Sequence, residues 1–353
     1  MAFLTGCLLL DCPASALNNA GADEGARTDN AIVVKKISAQ DGVYPYVSAQ
    51  AIRYWLRATL EHTQPGWKAA PVHREGKIAY TDSDPLDYWD DDLLGYMRAP
   101  SKKADANASA AASPLEKDRE ITRVSPLRVS TFVATAPVRI TTDFGTMTRQ
   151  EGNPVPYEHE FYRAHLLGTV SLDLRAAGTF YDSERVGFKN LDSFRRNKAK
   201  ERGLEHISIL KQSAYRLPIE ERKRRICTLL EGLACLHGGA KLTVHYTDVT
   251  PSVFVGAVLR HGNNPFYRFF TATRTSPTRF NVEAFQEALK VFKDDILSPV
   301  YFGWAQGFLD DERAKWKAVL DAAQTEVKVQ EGHPVEAIRA LAKDLDSHAE
   351  WLA

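Results

Sequence analysis

The sequence predicts an α+β protein built on a split βαβ core, RRM-like or ferredoxin-like in topology. Three observations predict it. Apolar and polar residues alternate along residues 160–174, as in a half-buried strand. Two segments, about 47–62 and about 218–237, repeat apolar residues at helical spacing instead. Once a compositionally distinct stretch between 63 and 126 is set aside, the elements run strand, helix, strand, strand, helix, strand. That is the order of the split βαβ arrangement and of RNA-recognition modules. Many unrelated functions use it, so topology alone assigns none.

Residues 2–12 read as the first strand, with Leu4, Gly6, Leu8 and Leu10 on one face and Thr5, Cys7 and Leu9 on the other. Residues 13–30, rich in Ala, Asn, Gly and Asp, read as a loop. Ile32, Val33 and Val34 form an extended piece that ends in Lys35-Lys36. In the helix that follows, Gln50, Arg53, Arg57 and Glu61 share one stripe, and Ala49, Ile52, Leu56 and Leu60 share its apolar neighbour. Pro65-Gly66 closes this unit. Up to about residue 126 come the acidic run Thr81–Asp92, the helical piece Leu93–Met97, and the Ala/Ser/Lys/Asn tract Ser101–Ser113. The tract cannot bury a core and reads as a surface loop, so 63–126 reads as an inserted domain.

Leu127–Ala136 reads as a strand, and 137–159 as a polar loop too long for a tight hairpin. The strand of 160–174 turns Tyr162, Ala164, Leu166, Val170, Leu172 and Leu174 inward. The helix of 218–237 starts at Pro218, carries Glu220 and Glu221 at the positive end of its dipole, and stops at Gly238-Gly239. Ile226, Leu229, Leu230 and Leu233 are its inner face. Strands are expected at 241–247 and 252–260. Asn281 caps a further helix with Phe285, Leu289, Phe292 and Ile296 inside, and 308–352 reads as helical and charged.

The 353 residues suffice for two or three folding units. Lys and Arg number 45, as do Asp and Glu, so no global field draws the chain to nucleic acid. A nucleic-acid surface must come from local segregation of charge. The apolar run Phe3–Leu10 is short and has no basic flank, which fits a strand rather than a signal peptide. No run approaches a membrane span, so no membrane partner is expected. Cys7, Cys12, Cys227 and Cys235 form no metal or redox spacing and read as buried thiols of a cytoplasmic protein.

Catalytic and metal motifs are weak. A calcium loop starting at Asp82 would need an oxygen ligand at its fifth position and Glu at its twelfth, where Leu86 and Leu93 stand. The run Asp82–Asp92 therefore reads as a solvated or subunit-contacting acidic face. His159 and His165 lie six apart, the second on a predicted strand, and read as surface residues. No phosphate-binding P-loop and no nucleophile elbow is present, and Asp143 and Asp248 are isolated acids. No cofactor or metal is expected. The basic clusters Lys198–Arg202, with Arg195 and Arg196, and Arg222–Arg225 read as solvated faces or, for the first, the lining of a nucleic-acid channel.

The start of the first helix is the strongest site. Backbone N–H groups are free there, and cations follow in the first turns, which together hold phosphate. Lys35-Lys36 and the loop Ala14–Gly21 lie just upstream, so a polyanion-binding edge for RNA is expected. The aromatic signature of a typical RNA-recognition motif is missing, so base stacking on sheet aromatics is not.

Several pieces read together carry a resemblance. They are Pro13-Ala14-Ser15-Ala16-Leu17-Asn18-Asn19, Lys35-Lys36-Ile37, and Tyr46-Val47-Ser48-Ala49-Gln50 with Arg53 and Arg57. Asp91–Met97, Arg123–Ser130 and Tyr157–Tyr162 complete them. The chain resembles the DevR branch of the backbone subunits of CRISPR type I-B Cascade complexes, over most of residues 1–260. The resemblance implies a hand: an RRM-like palm in 1–62, 127–136 and 160–353, the last with the C-terminal helices, a fingers domain in 63–126 and a thumb in 137–159.

It also implies a non-catalytic subunit of antiviral defence. Copies line up in a helical filament along crRNA, hold its sugar-phosphate backbone and present the guide for pairing with target DNA. The implied partners are further copies of the chain and the other Cascade subunits (the crRNA 5′-end cap, large and small subunits). The RNA-binding residues implied are Ser15, Asn18, Asn19, Lys35, Lys36, Ser48, Gln50, Arg53 and Arg57. In the thumb, Met147 and Val155 would wedge against displaced bases or pack on a neighbouring subunit, and Arg139 and Arg149 would touch RNA or the next copy. Two alternatives are a target-RNA endoribonuclease of the type III backbone kind, for which no acid aligns, and a DNA-binding autoregulator, for which no helix-turn-helix pattern is present.

Overall fold

The computed structural model describes residues 1–22, 30–75, 78–98, 121–149, 151–183, 188–209, 211–272, 278–322 and 326–353. The tract Ser101–Ser113 lies outside them. Strand β1 (Phe3–Ser15) leads into β2 (Asn19–Ala22), β3 (Ala31–Val34), β4 (Lys36–Ala39), β5 (Gly42–Val47) and helix α1 (Ala49–Thr63). The stretch after α1 holds the hairpin β6 (Val72–Glu75) and β7 (Ile78–Thr81), the short helix α2 (Trp89–Leu94), and paired β8 (Tyr96–Arg98) and β9 (Ile121–Arg123). The chain then returns through β10 (Leu127–Val129), β11 (Phe132–Ala134), β12 (Thr141–Met147) and the long β13 (Val155–Asp173). A small sheet of β14 (Thr179–Tyr181), β15 (Glu205–Ile209) and β16 (Gln212–Arg216) accompanies α3 (Ser193–Glu201). The remainder is α4 (Ile219–Ala234), β17 (Val253–Leu259), β18 (Phe270–Thr271), β19 (Arg279–Phe280), α5 (Val282–Val291), β20 (Val300–Trp304), α6 (Asp310–Ala322), β21 (Val329–Gly332) and α7 (Pro334–Ser347).

The fold is α+β. β17, β1, β13 and the β10–β11 pair lie side by side, each antiparallel to its neighbour. Taken in chain order as four core strands, their spatial order is fourth, first, third, second, with α1 and α4 contributing to one shared core. That is the split βαβ order. The Asn281 cap forms as its sequence predicts, its Oδ1 accepting from the Ala284 N–H at 3.1 Å.

β1 is buried on both faces. Leu4, Leu8, Leu10 and Cys12 join the core beneath α1, α4 and α7. Cys7 and Leu9 join a second core with β17, β20 and the rings of Phe280, Phe285, Phe302, Trp304 and Trp316. β13 alternates as its sequence does, with Tyr162, Ala164, Leu166, Val170 and Leu172 buried. Gly168 lies on that face because the fully buried Phe132 ring covers it: a Cβ there would stand 1.8 Å from a ring carbon. Gly168→Ala is expected to displace Phe132 and cost about 1–3 kcal/mol, read as a lower urea midpoint.

Four expectations are corrected. Residues 13–30 are not a loop throughout, since β1 runs on to Ser15 and β2 follows. Residues 137–159 are no open loop: β12 pairs with β13 from Thr141↔Phe161 to Met147↔Val155. Residues 241–247 form a turn rather than a strand, with the His245 N–H donating to the Lys241 carbonyl at 2.8 Å. The acidic run is not a solvated face. Asp84, Asp90, Asp91 and Asp92 are buried, and the basic clusters answer two of them, Asp84 and Asp92. Lys198 reaches Asp84 (2.6 Å) and Asp87, and Arg202 reaches Asp87 (2.6 Å). Arg225 and Arg123 both meet Asp92. Arg195 is buried against Asp192, and Arg196 pairs with Asp182 at 2.9 Å. The paired charges named here are matched inside the protomer, so they do not stand free as a solvated acidic or basic face.

Asp91 accepts from Thr81 Oγ1 at 2.6 Å and from the Asp84 N–H at 2.9 Å. Burial pushes its carboxyl up to about 6. A carboxyl raised above its unfolded value favours the protonated fold, so its contribution is present at low pH and is lost as pH rises through 6. In Asp91→Asn, the unfolding free energy measured from about pH 4 to about pH 7 is expected to fall less steeply than in the wild type.

Candidate nucleic-acid interface

Three separate segments meet at the start of α1. Ser48 caps the helix, its Oγ accepting from the Ala51 N–H at 3.3 Å. The Ser48 N–H donates to Asn18 Oδ1 at 3.0 Å, and the Asn18 carbonyl accepts from the Lys35 N–H at 2.8 Å. The Tyr46 N–H closes the set on the Lys35 carbonyl at 3.0 Å. Asn18 is therefore the hub that ties the end of β1, the β3–β4 junction and the helix start together. The first turn of α1 holds no acid. The N–H groups of Ala49 and Gln50 have no intrahelical partner, as at any helix start. Gln50 is exposed, and Lys35 is half-buried with no carboxylate partner among the described residues. Lys36 is exposed but paired with Glu160, whose other oxygen accepts from the Val34 N–H at 3.0 Å. Asn19 Oδ1 is buried with no protein partner.

Besides Lys36, three of the expected residues are engaged elsewhere. Ser15 is fully buried, its Oγ 2.7 Å from Thr247 Oγ1. Arg53 donates to the carbonyls of Leu127 (3.0 Å) and Leu94, and burial, then Arg57, lowers its pKa. Arg57 faces Asp90 at 3.9 Å. For the two arginines the physical reason is the insertion, which folds back along the middle of α1 and brings the Leu94 carbonyl to Arg53 and the Asp90 carboxylate to Arg57. The cationic stripe of the helix is thus divided: Gln50 points outward at the helix start, and Arg53 clamps the insertion.

The β12–β13 ribbon places Met147 and Val155 opposite each other on the last rung, both exposed. Arg139 and Arg149 are exposed before and after β12. The face of β13 carrying Tyr157, His159 and Phe161 is lined with rings. The Tyr157 ring lies across Gly145, where a Cβ would be 2.4 Å from it. His159 is buried rather than on the surface, and its Nε2 is 2.8 Å from His245 Nε2. Burial, then Lys241, lowers the pKa of both imidazoles. The alternation of rings at 157, 159 and 161 is visible in the sequence, but His245 carries no signal there.

A cavity of about 750 Å³ between α4 and α7 is lined by acids and bases together, among them Glu220, Arg224, Glu231 and Arg339, and favours neither sign of charge. Among the described residues, no group of three His, Cys, Asp or Glu is placed to hold a metal, and no helix is long and apolar enough to cross a membrane.

No protein-family model matches the chain, and no curated protein does. Solved structures do. One chain of a "CRISPR RNA-guided surveillance complex, pre-nicking" aligns with a TM-score of 0.53 at 10% identity, covering 98% of this chain and 100% of its own length. A second, from a "CRISPR RNA-guided surveillance complex", aligns with a TM-score of 0.51 at 10% identity, covering 98% and 99%. At that identity the likeness is one of fold.

Proposed function

We propose that this chain is a backbone subunit of a CRISPR type I-B-like Cascade effector in the cytoplasm. It binds crRNA along the sugar-phosphate backbone, polymerises into a filament and presents the guide to target DNA, without catalysis of its own. The observation that carries this reading is the likeness in fold to surveillance-complex chains over nearly the whole length of both partners. The helix start supports it. Asn18, Asn19, Lys35, Ser48 and Gln50 converge on an acid-free N-terminus, the chemistry that receives a phosphate. Such contacts position a strand and leave its sequence to base pairing. The β12–β13 ribbon, with Met147 and Val155 exposed on its last rung, supports the thumb role. Further copies and the cap, large and small subunits are the partners.

The test is to purify the chain from its host and sequence the RNA that accompanies it. A uniform, repeat-derived population is expected. A random sample of cellular transcripts, or no RNA, would overturn the proposal.

A further inference from the structure

The turn between α4 and β17 lies outside the site marked by the sequence, yet it borders that site. The Ala240 N–H donates to the Leu17 carbonyl at 3.0 Å, while the adjoining Asn18 carbonyl accepts from Lys35 at 2.8 Å. Lys241 and Lys35 therefore follow from two segments that dock on consecutive residues of one loop. The far end of the turn is tied down as well, by Thr247 on Ser15 at 2.7 Å.

Lys241 is unusual in two respects. Its φ is +53°, a left-handed conformation that residues other than Gly, Asn and Asp seldom adopt. Its ammonium is half-buried with no carboxylate partner among the described residues, and burial pushes its pKa down. It acts on the His159 and His245 imidazoles, which Asp143 also faces, at 3.7 Å from His159. A partly desolvated, unmatched cation gains from an incoming anion. Further along the turn, Val244 and Tyr246 stand in solvent, 63% and 70% exposed.

We infer that residues 240–247 form a further wall of the RNA edge, with Lys241 binding a backbone phosphate and Tyr246 stacking on a nucleobase. This rests on the RNA-binding reading above. Neither contact selects a sequence, because every base offers a π-face and every nucleotide a phosphate.

The experiment uses the full chain and a fluorescein-labelled single-stranded RNA of mixed sequence, titrated by anisotropy at several salt concentrations. Lys241→Asn removes the charge and keeps a residue tolerant of the left-handed turn. It is expected to weaken binding about tenfold and to flatten the salt slope by about 0.7, one phosphate's share. Lys241→Arg is expected to keep both. Tyr246→Ala is expected to weaken binding about tenfold with the slope unchanged. Thermal midpoints within about 2 °C of the wild type would show that the fold survives. Wild-type affinity and slope in Lys241→Asn and Tyr246→Ala, with Lys35→Ala weakened, would overturn the inference and leave the RNA-binding reading standing. A wild-type chain that binds no RNA would overturn both.

Discussion

Replacing Asp92 by Ala is expected to lower the unfolding free energy by about 3–5 kcal/mol, because it leaves buried Arg123 without an anion and buried Arg225 with Glu221 alone. Asp92 is fully buried, and its carboxylate is the meeting point of two buried guanidinium groups. Arg225 reaches Oδ2 at 2.8 Å, and Arg123 reaches Oδ1, which also accepts from the Gly178 N–H at 3.1 Å. Arg123 extends to the carbonyls of Thr179 (2.9 Å) and Ala176 (2.8 Å), and Arg225 to those of Pro85 (2.8 Å) and Leu86 (3.0 Å). Without Asp92 the two cations stay buried side by side. The thermal midpoint is expected to fall by roughly 5–10 °C. Asp87→Asn is the control. Its pairs with Lys198 and Arg202 are partly exposed, so its loss should stay below about 1 kcal/mol. Equal losses from the two variants would show that the Asp92 cluster does not anchor the insertion.

The double substitution Lys35→Glu with Gln50→Glu is expected to reduce RNA bound to the purified chain by at least about a hundredfold, with the fold intact. Lys35 supplies a charge beside the helix start that no carboxylate among the described residues matches, and Gln50 is exposed in the first turn. A Glu in that turn suits the helix dipole and stabilises α1 by about 0.3–1 kcal/mol, while it repels a phosphate. Stability and RNA binding should therefore move in opposite directions. Arg57 is the poorer choice for such a test, because it faces Asp90 and its reversal would disturb the insertion. Wild-type RNA content in the double variant would place the groove elsewhere on the chain.

The parts of the fold that are legible in the sequence are those whose signals are local. The alternation of β13, the apolar stripes of α1 and α4, and the Asn281 cap each depend on neighbours a few residues away. Charge matching does not. Asp92 finds Arg225 across 133 positions, and Asp84 finds Lys198 across 114, so the acidic and basic runs each look solvated when read alone. Arg53's carbonyl partners are hidden in the sequence for the same reason. Its acceptors, the Leu94 carbonyl of the insertion and the Leu127 carbonyl of β10, are brought to it only by the tertiary fold. Ser15 falls inside because β1 continues past its predicted end at residue 12, as far as Ser15. At 241–247, alternating Leu242, Val244 and Tyr246 mimic a strand, but the left-handed Lys241 turns the chain, and two of those side chains face solvent. The helix start itself is legible, because a cap, a nearby Lys pair and an acid-free first turn are all contiguous features.

Ultraviolet crosslinking of the RNA-loaded assembly, followed by mass spectrometry of the nucleotide-bearing peptides, addresses the helix-start edge most directly. Crosslinks are expected on residues 14–22, 30–50 and 240–247, with further ones on the 141–157 ribbon. Crosslinks confined to the α4–α7 cavity, or to surfaces remote from the start of α1, would contradict the assignment of that edge to RNA.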